Sequence, residues 1–156
     1  MQLLEQYKLS GLTLSSKVIM APLTRRRSTR THIPVPIMVE YYAQRSSAGL
    51  IIAEGCSPSS NGAGYANMPG LYNQEQKEAW KPITKSVHDK GGKIYLQVMH
   101  TGRVGHSNNL DTGSEILAPS AIGQVGELST YDFGKQPYTV PRAMTLADIK
   151  TSIDEF

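Results

Sequence analysis

The chain has 156 residues, 39% hydrophobic and 19% charged, which fits one globular domain with a real core. A net charge of +3 and a pI near 9.0 permit an anionic ligand without demanding nucleic acid. The one cysteine, Cys56, excludes an internal disulfide and suits a reducing cytoplasm; no apolar run approaches the ~20 residues of a membrane span, and the opening MQLLEQYK lacks the regions of a signal peptide. A cytoplasmic location is expected.

In chain order, YKLSGLTLSSK reads as a short hairpin with Ser10-Gly11 at its turn. Lys17 to Leu23, KVIMAPL, is the first strong strand, and Pro22 should end it by removing a backbone donor. A polar loop, Thr24 to Pro34, leads to a helix that Pro36 can open and that runs to about Ser47. GLIIAEG, Gly49 to Gly55, is a second strand, apolar on both faces as in a parallel sheet covered by helices. A Gly- and Ser-rich loop follows, Cys56 to Tyr72. Asn73 with Gln76 three residues on forms a capping-box pattern, and the helix it opens runs to about Lys90. Trp80, Ile83 and Val87 make one buried stripe on that helix, and Gly91 supplies its stop. The third strand is KIYLQVM, Lys93 to Met99. From His100 to Arg142 the chain is irregular and rich in Gly, Pro and Ser; loops of that length are functional or carry small elements of their own. Thr145 with Asp148 marks the start of another helix.

The alternation of strand and helix predicts an α/β fold with a parallel sheet. The polar clusters LTRRR, GCSPSSNG and HTGR all follow strands, and sites in such folds lie at the carboxyl ends of strands. His100 and His106, six apart with no carboxylate nearby, fit no common metal pattern, so no metal site is predicted. Hydrogen-bonded or solvent-facing roles suit them, as they suit His32 and His88. Arg25, Arg26, Arg27 and Arg30 read as a solvated loop with one or two arginines paired to carboxylates, because the aromatics of a nucleic-acid site are not interleaved. Cys56 reads as a structural thiol rather than a nucleophile. Gly62 and Gly64 form no dinucleotide fingerprint, since no helix opens directly behind them. Tyr65 and Met68 fall on an exposed loop, where they cover a ligand or pack the loop down. Gln97 offers donors and an acceptor without charge. Facing inward from a strand end, it needs a partner of the reverse pattern: the pyrimidine edge of a flavin, or a neighbouring backbone.

VIMAPLTRRRS, EYYAQRSSAGLIIAEG, GYANMPGL and LQVMHTGR, in that order, resemble the Old Yellow Enzyme family of FMN-dependent ene-reductases. PRAMTLADIKTSIDEF looks like the segment leading into that family's next helix, so the resemblance spans Leu3 to Phe156. It implies an eight-stranded (β/α) barrel with FMN at the carboxyl ends of its strands and NADH or NADPH as reductant. The implied reaction carries hydride through the flavin to the activated C=C bond of a small molecule such as an enone, enal or nitro-alkene. By the same resemblance Ala21, Pro22, Leu23 and Thr24 line the flavin ring, and Thr24 hydrogen-bonds the flavin O4 and tunes it. Gly55 lies against the ring, Gln97 holds its pyrimidine edge, and Tyr65 and Met99 border the substrate pocket. Met99 stands where the family often has an aromatic residue.

Such a barrel needs eight strands and about 250 residues; three strands are legible here. The expectation is therefore an incomplete barrel: the first three βα units of a (β/α)8 TIM barrel preceded by an N-terminal β-hairpin. Residues 1–16 form the hairpin, 17–99 the first three strands, 100–142 a long capping loop or subdomain and 145–156 the start of the next helix. The family's carbonyl-binding side chains, tyrosine proton donor and phosphate-binding loops fall in later segments, so this portion is expected to be inactive alone. The alternative is a non-catalytic three-strand α/β module whose open sheet edges recruit another copy or a complementing chain. Neither reading involves nucleic acid or a membrane.

Overall fold

Ser10 and Gly11 take left-handed backbone angles, φ 41° and 90°. Two consecutive positive φ values give the turn whose twist matches a hairpin, and here it folds β1 (Tyr7–Leu9) back on β2 (Leu12–Leu14), antiparallel. The computed structural model describes residues 2–156; the first residue of the expected hairpin segment, Met1, lies outside the described residues.

β3 is only Ile19–Met20, shorter than the expected Lys17–Leu23. Its two residues pair in parallel with Leu50 and Ile51, and Pro22 offers no donor to carry the ladder further. α1 (Pro36–Ala43) opens on its proline and ends four residues before Ser47. Arg45, Ser46 and Ala48 instead donate to carbonyls three residues back, the tighter turn typical of a fraying helix end. β4 (Leu50–Cys56) is the middle strand, with β5 (Ile94–Val98) parallel on its other side. Three strands joined through helices give the α/β architecture expected from the sequence.

α2 (Gln74–His88) connects β4 to β5. Asn73 caps it by accepting the Gln76 amide at 2.9 Å. The reciprocal half of the expected capping box is absent: the Gln76 side chain accepts from the Tyr72 amide and donates to the Thr31 carbonyl. Gln76 is therefore a buried clamp on two loops as well as a helix residue. At the other end Gly91, at φ 75°, lets the amides of Gly91 and Gly92 close on His88 and Val87.

One face of the sheet is covered and the other is not. Met38 and Tyr42 from α1 and Trp80, Ile83 and Val87 from α2 pack on Ile51, Ala53 and Ile94. On the opposite face Tyr95 is 51% exposed and Ile19 47%. β4 holds one residue more than β5: Ile52 pairs with Tyr95 and Gly55 with Gln97, so Ala53 and Glu54 together oppose Leu96. This bulge shifts the pleat. It turns Glu54 toward the helix side and returns Gly55 to the uncovered face beside Gln97.

One expectation for the loops needs correction. The Cys56–Tyr72 loop is largely buried rather than exposed, with Met68 fully enclosed and an isolated bridge between Ser57 and Gly70. The stretch after His100 carries small elements of its own, as its length allowed. It contains a 3-10 turn at Ser107–Asn109, then β6 (Leu117–Ala118), β7 (Glu127–Thr130) and β8 (Gly134–Pro137). β7 and β8 form an antiparallel hairpin, and β6 pairs in parallel with β9 (Arg142–Ala143). α3 (Leu146–Glu155) follows, with Thr145 and Asp148 completing a full capping box. Among the described residues no helix is long and apolar enough to cross a membrane.

Candidate functional site

The bulge in β4 determines what meets at the strand ends. A side chain built on Gly55 would begin 3.3 Å from the Thr24 hydroxyl and 2.7 Å from the terminal carbon of Met99. The residue after β3, the last residues of β4 and the residue after β5 thus converge on one patch. Gln97 is the register partner of Gly55 and is half-buried beside it. Of the residues singled out in the sequence, Thr24, Gly55, Gln97 and Met99 come together here.

Thr24 also lines a second space. With Arg26, Tyr65, Glu127, Leu128, Ser129, Lys135 and Tyr138 it borders an open cleft of about 400 Å³. Tyr65 is half-buried in it, its phenol raised above the usual value by burial, and the Arg26 guanidinium lies 5.8 Å from its ring centroid. The β7–β8 hairpin forms the far wall, so Ser129, Lys135 and Tyr138 are site-lining residues that sequence reasoning missed. The only signal was the length of the stretch after His100.

The remaining candidates lie apart from this patch. Leu23 opens onto a groove of about 710 Å³ along β3, shared with Val18, Met20, Tyr41 and Arg45. Ala21 is exposed and Pro22 half-buried between them. Cys56 is buried, its thiol pushed up to about 12 chiefly by burial, so it is inert as a nucleophile. His100 accepts the Gly102 amide on Nδ1, and His106 accepts the Asn108 amide and opens the 3-10 turn. His32 is fully buried with Nδ1 against the Met68 carbonyl.

The arginine loop is neither bare nor evenly solvated. Arg30 binds Asp132 through two hydrogen bonds of 2.7 Å and lies 4.8 Å from the Tyr131 ring centroid. The paired guanidinium holds the Asp132 carboxyl down to about 2. Tyr131 accepts the Asn67 amide at 2.7 Å. The turn of the β7–β8 hairpin is thereby clasped to the loops that follow β3 and β4. Arg25 faces the Tyr41 ring at 5.6 Å. The aromatics that are not interleaved in the sequence are supplied by other segments.

Beneath the patch lies a buried carboxylate. Glu54 is 1% exposed. One of its oxygens accepts the Arg25 amide at 2.9 Å, and the other accepts the Tyr42 hydroxyl at 3.0 Å. Tyr42 in turn accepts the Glu54 amide at 2.9 Å. Burial raises the Glu54 carboxyl above its usual value, against the opposing pull of the Arg25, Tyr42 and Arg26 hydrogen bonds.

Residues 2–156 match the NADH:flavin oxidoreductase / NADH oxidase family. The chain is 36% identical to a probable flavin mononucleotide-dependent alkene reductase of Leishmania infantum, over 97% of this chain and 43% of that protein. Its structure superposes on the old yellow enzyme homologue of Zymomonas mobilis with a TM-score of 0.93 and 46% identity, covering 99% of this chain and 43% of that one. Morphinone reductase in complex with tetrahydroNAD gives a TM-score of 0.90 at 38% identity, covering 99% and 44%. The chain thus spans somewhat over two fifths of the length of these relatives, and it follows them from its hairpin to α3. The strand-end patch around Gly55 sits on a fold shared almost throughout, and by this match the chain belongs to the NADH:flavin oxidoreductase / NADH oxidase family.

Proposed function

We propose that the chain supplies the flavin-ring side of an FMN-dependent oxidoreductase that moves hydride from NADH or NADPH to an activated C=C bond of a small molecule. The observation that carries this reading is the meeting of Thr24, a side-chain-free Gly55 and Gln97 on the uncovered face of the sheet. These residues fit the group. A flat ring needs a wall without a side chain, and Gly55 offers one. The atom nearest that wall is the end of Met99, an unbranched side chain that swings aside at low cost. When bound, FMN supplies reversible hydride chemistry that no amino-acid side chain provides.

The chain's own residues would hold and bias that chemistry. Gln97 offers a donor and an acceptor to the pyrimidine edge. The Thr24 hydroxyl donates toward the ring's O4 side, which favours the electron-rich reduced form. Ala21, Pro22 and Leu23 belong to the ring's surroundings by the family resemblance alone, since Leu23 opens onto the groove along β3, and Tyr65 and Met99 bound the substrate side. The cleft between Thr24, Tyr65 and the β7–β8 hairpin is the route by which a small molecule reaches the ring. None of these residues is assigned to the phosphate, so riboflavin should bind this chain about as well as FMN. Titration of either flavin against the purified chain, followed by fluorescence quenching, tests the reading. Saturable quenching is expected from both, and its absence overturns the assignment of the patch.

A second reading is favoured by one observation. Leu146, Ile149, Ile153 and Phe156 in and beside α3 are 87%, 41%, 69% and 67% exposed, as in a module built to associate. A colourless, associated chain would favour it.

A further inference from the structure

Glu54 is a buried carboxylate that the proposed flavin chemistry does not use. It occupies the bulge of β4, one residue before Gly55, and on the helix side of the sheet. Burying a carboxylate is costly unless its oxygens are satisfied, and here both are. Tyr42, fully buried on α1, donates to one oxygen and accepts the Glu54 amide, so helix and strand are locked by two hydrogen bonds. The other oxygen reaches out of the sheet to the Arg25 amide, the residue directly after Thr24.

The backbone at this point is strained. Arg26 sits at φ 55°, a left-handed conformation that costs a non-glycine residue free energy and persists only where the surroundings enforce it. The amide that leads into the strained residue, that of Arg25, is held by Glu54 at 2.9 Å. Thr24 has no strand pairing to fix it, because the β3 ladder ends at Met20. Yet its hydroxyl lies beside Gly55.

We propose that Glu54 is the positioning residue of Thr24: its carboxylate, braced by Tyr42, holds the Arg25–Arg26 turn and thereby aims the Thr24 hydroxyl over Gly55. The inference rests on the reading of Thr24 as a flavin-facing residue only for its functional consequence. The tether itself is a property of the chain without cofactor. Glu54→Leu keeps a similar volume and removes both acceptors, the one toward the Arg25 amide and the one toward the Tyr42 hydroxyl.

The test compares amide hydrogen exchange in the whole chain at Arg25 and at Ile51, whose amide bonds the Lys93 carbonyl within the sheet. Glu54→Leu, which has no acceptor in either orientation, should speed Arg25 exchange roughly tenfold or more, the loss expected for a hydrogen bond to a charged group, and leave Ile51 unchanged. An unchanged Arg25 rate overturns the proposal. Should the variant lose protection at Ile51 as well, Tyr42→Phe decides: it removes the brace and should raise Arg25 exchange by a smaller factor with Ile51 still protected, and a uniform or absent effect overturns the tether. Flavin titration supplies the functional arm. The losses of affinity in Thr24→Ala and Glu54→Leu should not multiply in the double variant, because both act through one hydroxyl; independent losses overturn the positioning role. A wild-type chain that binds no flavin sinks the flavin reading, while the exchange comparison still decides the tether.

Discussion

At the scale of single residues, Gly55 and Glu54 are adjacent and do opposite work. Gly55 leaves a wall bare on one face of the sheet, and Glu54 ties a loop from the other. Gly55→Val would place two methyl groups among Thr24 and Met99. Overpacking of this kind costs about 1–3 kcal/mol, so flavin affinity should fall by roughly tenfold or more; an unchanged titration would remove Gly55 from the site. Glu54 gives the chain a pH dependence with a definite sign. Its folded carboxyl lies above the unfolded value of about 4.3 because of burial. Its contribution to stability is therefore fully present below that value and is lost as pH rises through the folded one. Glu54→Gln does not titrate. Comparing thermal midpoints from about pH 4 to about pH 7, the variant should gain on the wild type as pH rises, and a gap that stays constant would show that the carboxyl is not raised. Some of this scale was legible beforehand. Gln97 announced itself as an amide at the end of an apolar strand. Glu54 did not, since the bulge that turns it to the helix side leaves no mark in a run that is apolar on both faces.

At the scale of elements, local chemistry was readable wherever the partner was near in the chain. The Ser10-Gly11 turn, the Asn73 cap and the Thr145–Asp148 box all rest on residues within four of each other. Elements whose reason is distant were not readable. β7 and β8 lack the apolar alternation of strong strands, and GKQP even ends in proline. Their hairpin is held by Arg30, Asn67 and Asn108. The same contrast separates two helix caps. Asn73 opens α2, which buries Trp80, Ile83 and Val87 in the core, whereas Thr145 opens α3, which buries no residue. Asn73→Ala should cost about 1 kcal/mol of global stability, seen as a lower urea midpoint. Thr145→Ala should fray α3 and leave that midpoint in place, because no core depends on it. Equal shifts for both would mean that α3 is part of the cooperative unit.

At the scale of the whole molecule, the central sheet has three strands, one covered face and two open edges, β3 and β5. Unpaired edges and exposed apolar side chains draw other chains, so light scattering should give a mass above the 17.1 kDa of one copy. A compact monomer that unfolds in one cooperative step would contradict this. The sheet is built from neighbours along the chain, with Ile19 meeting Leu50 and Ile51 meeting Ile94. The clasp between Arg30 and Asp132 instead closes across 102 residues. Because long closures lose more chain entropy before any contact repays it, the two parts should form in sequence. The sheet and its two helices come together early, and the hairpin settles over the Thr24–Tyr65 cleft afterwards. The order reverses on opening. A brief excursion that releases only the clasp costs less than unfolding the sheet beneath it, so the cleft can breathe on its own clock while its floor stays folded.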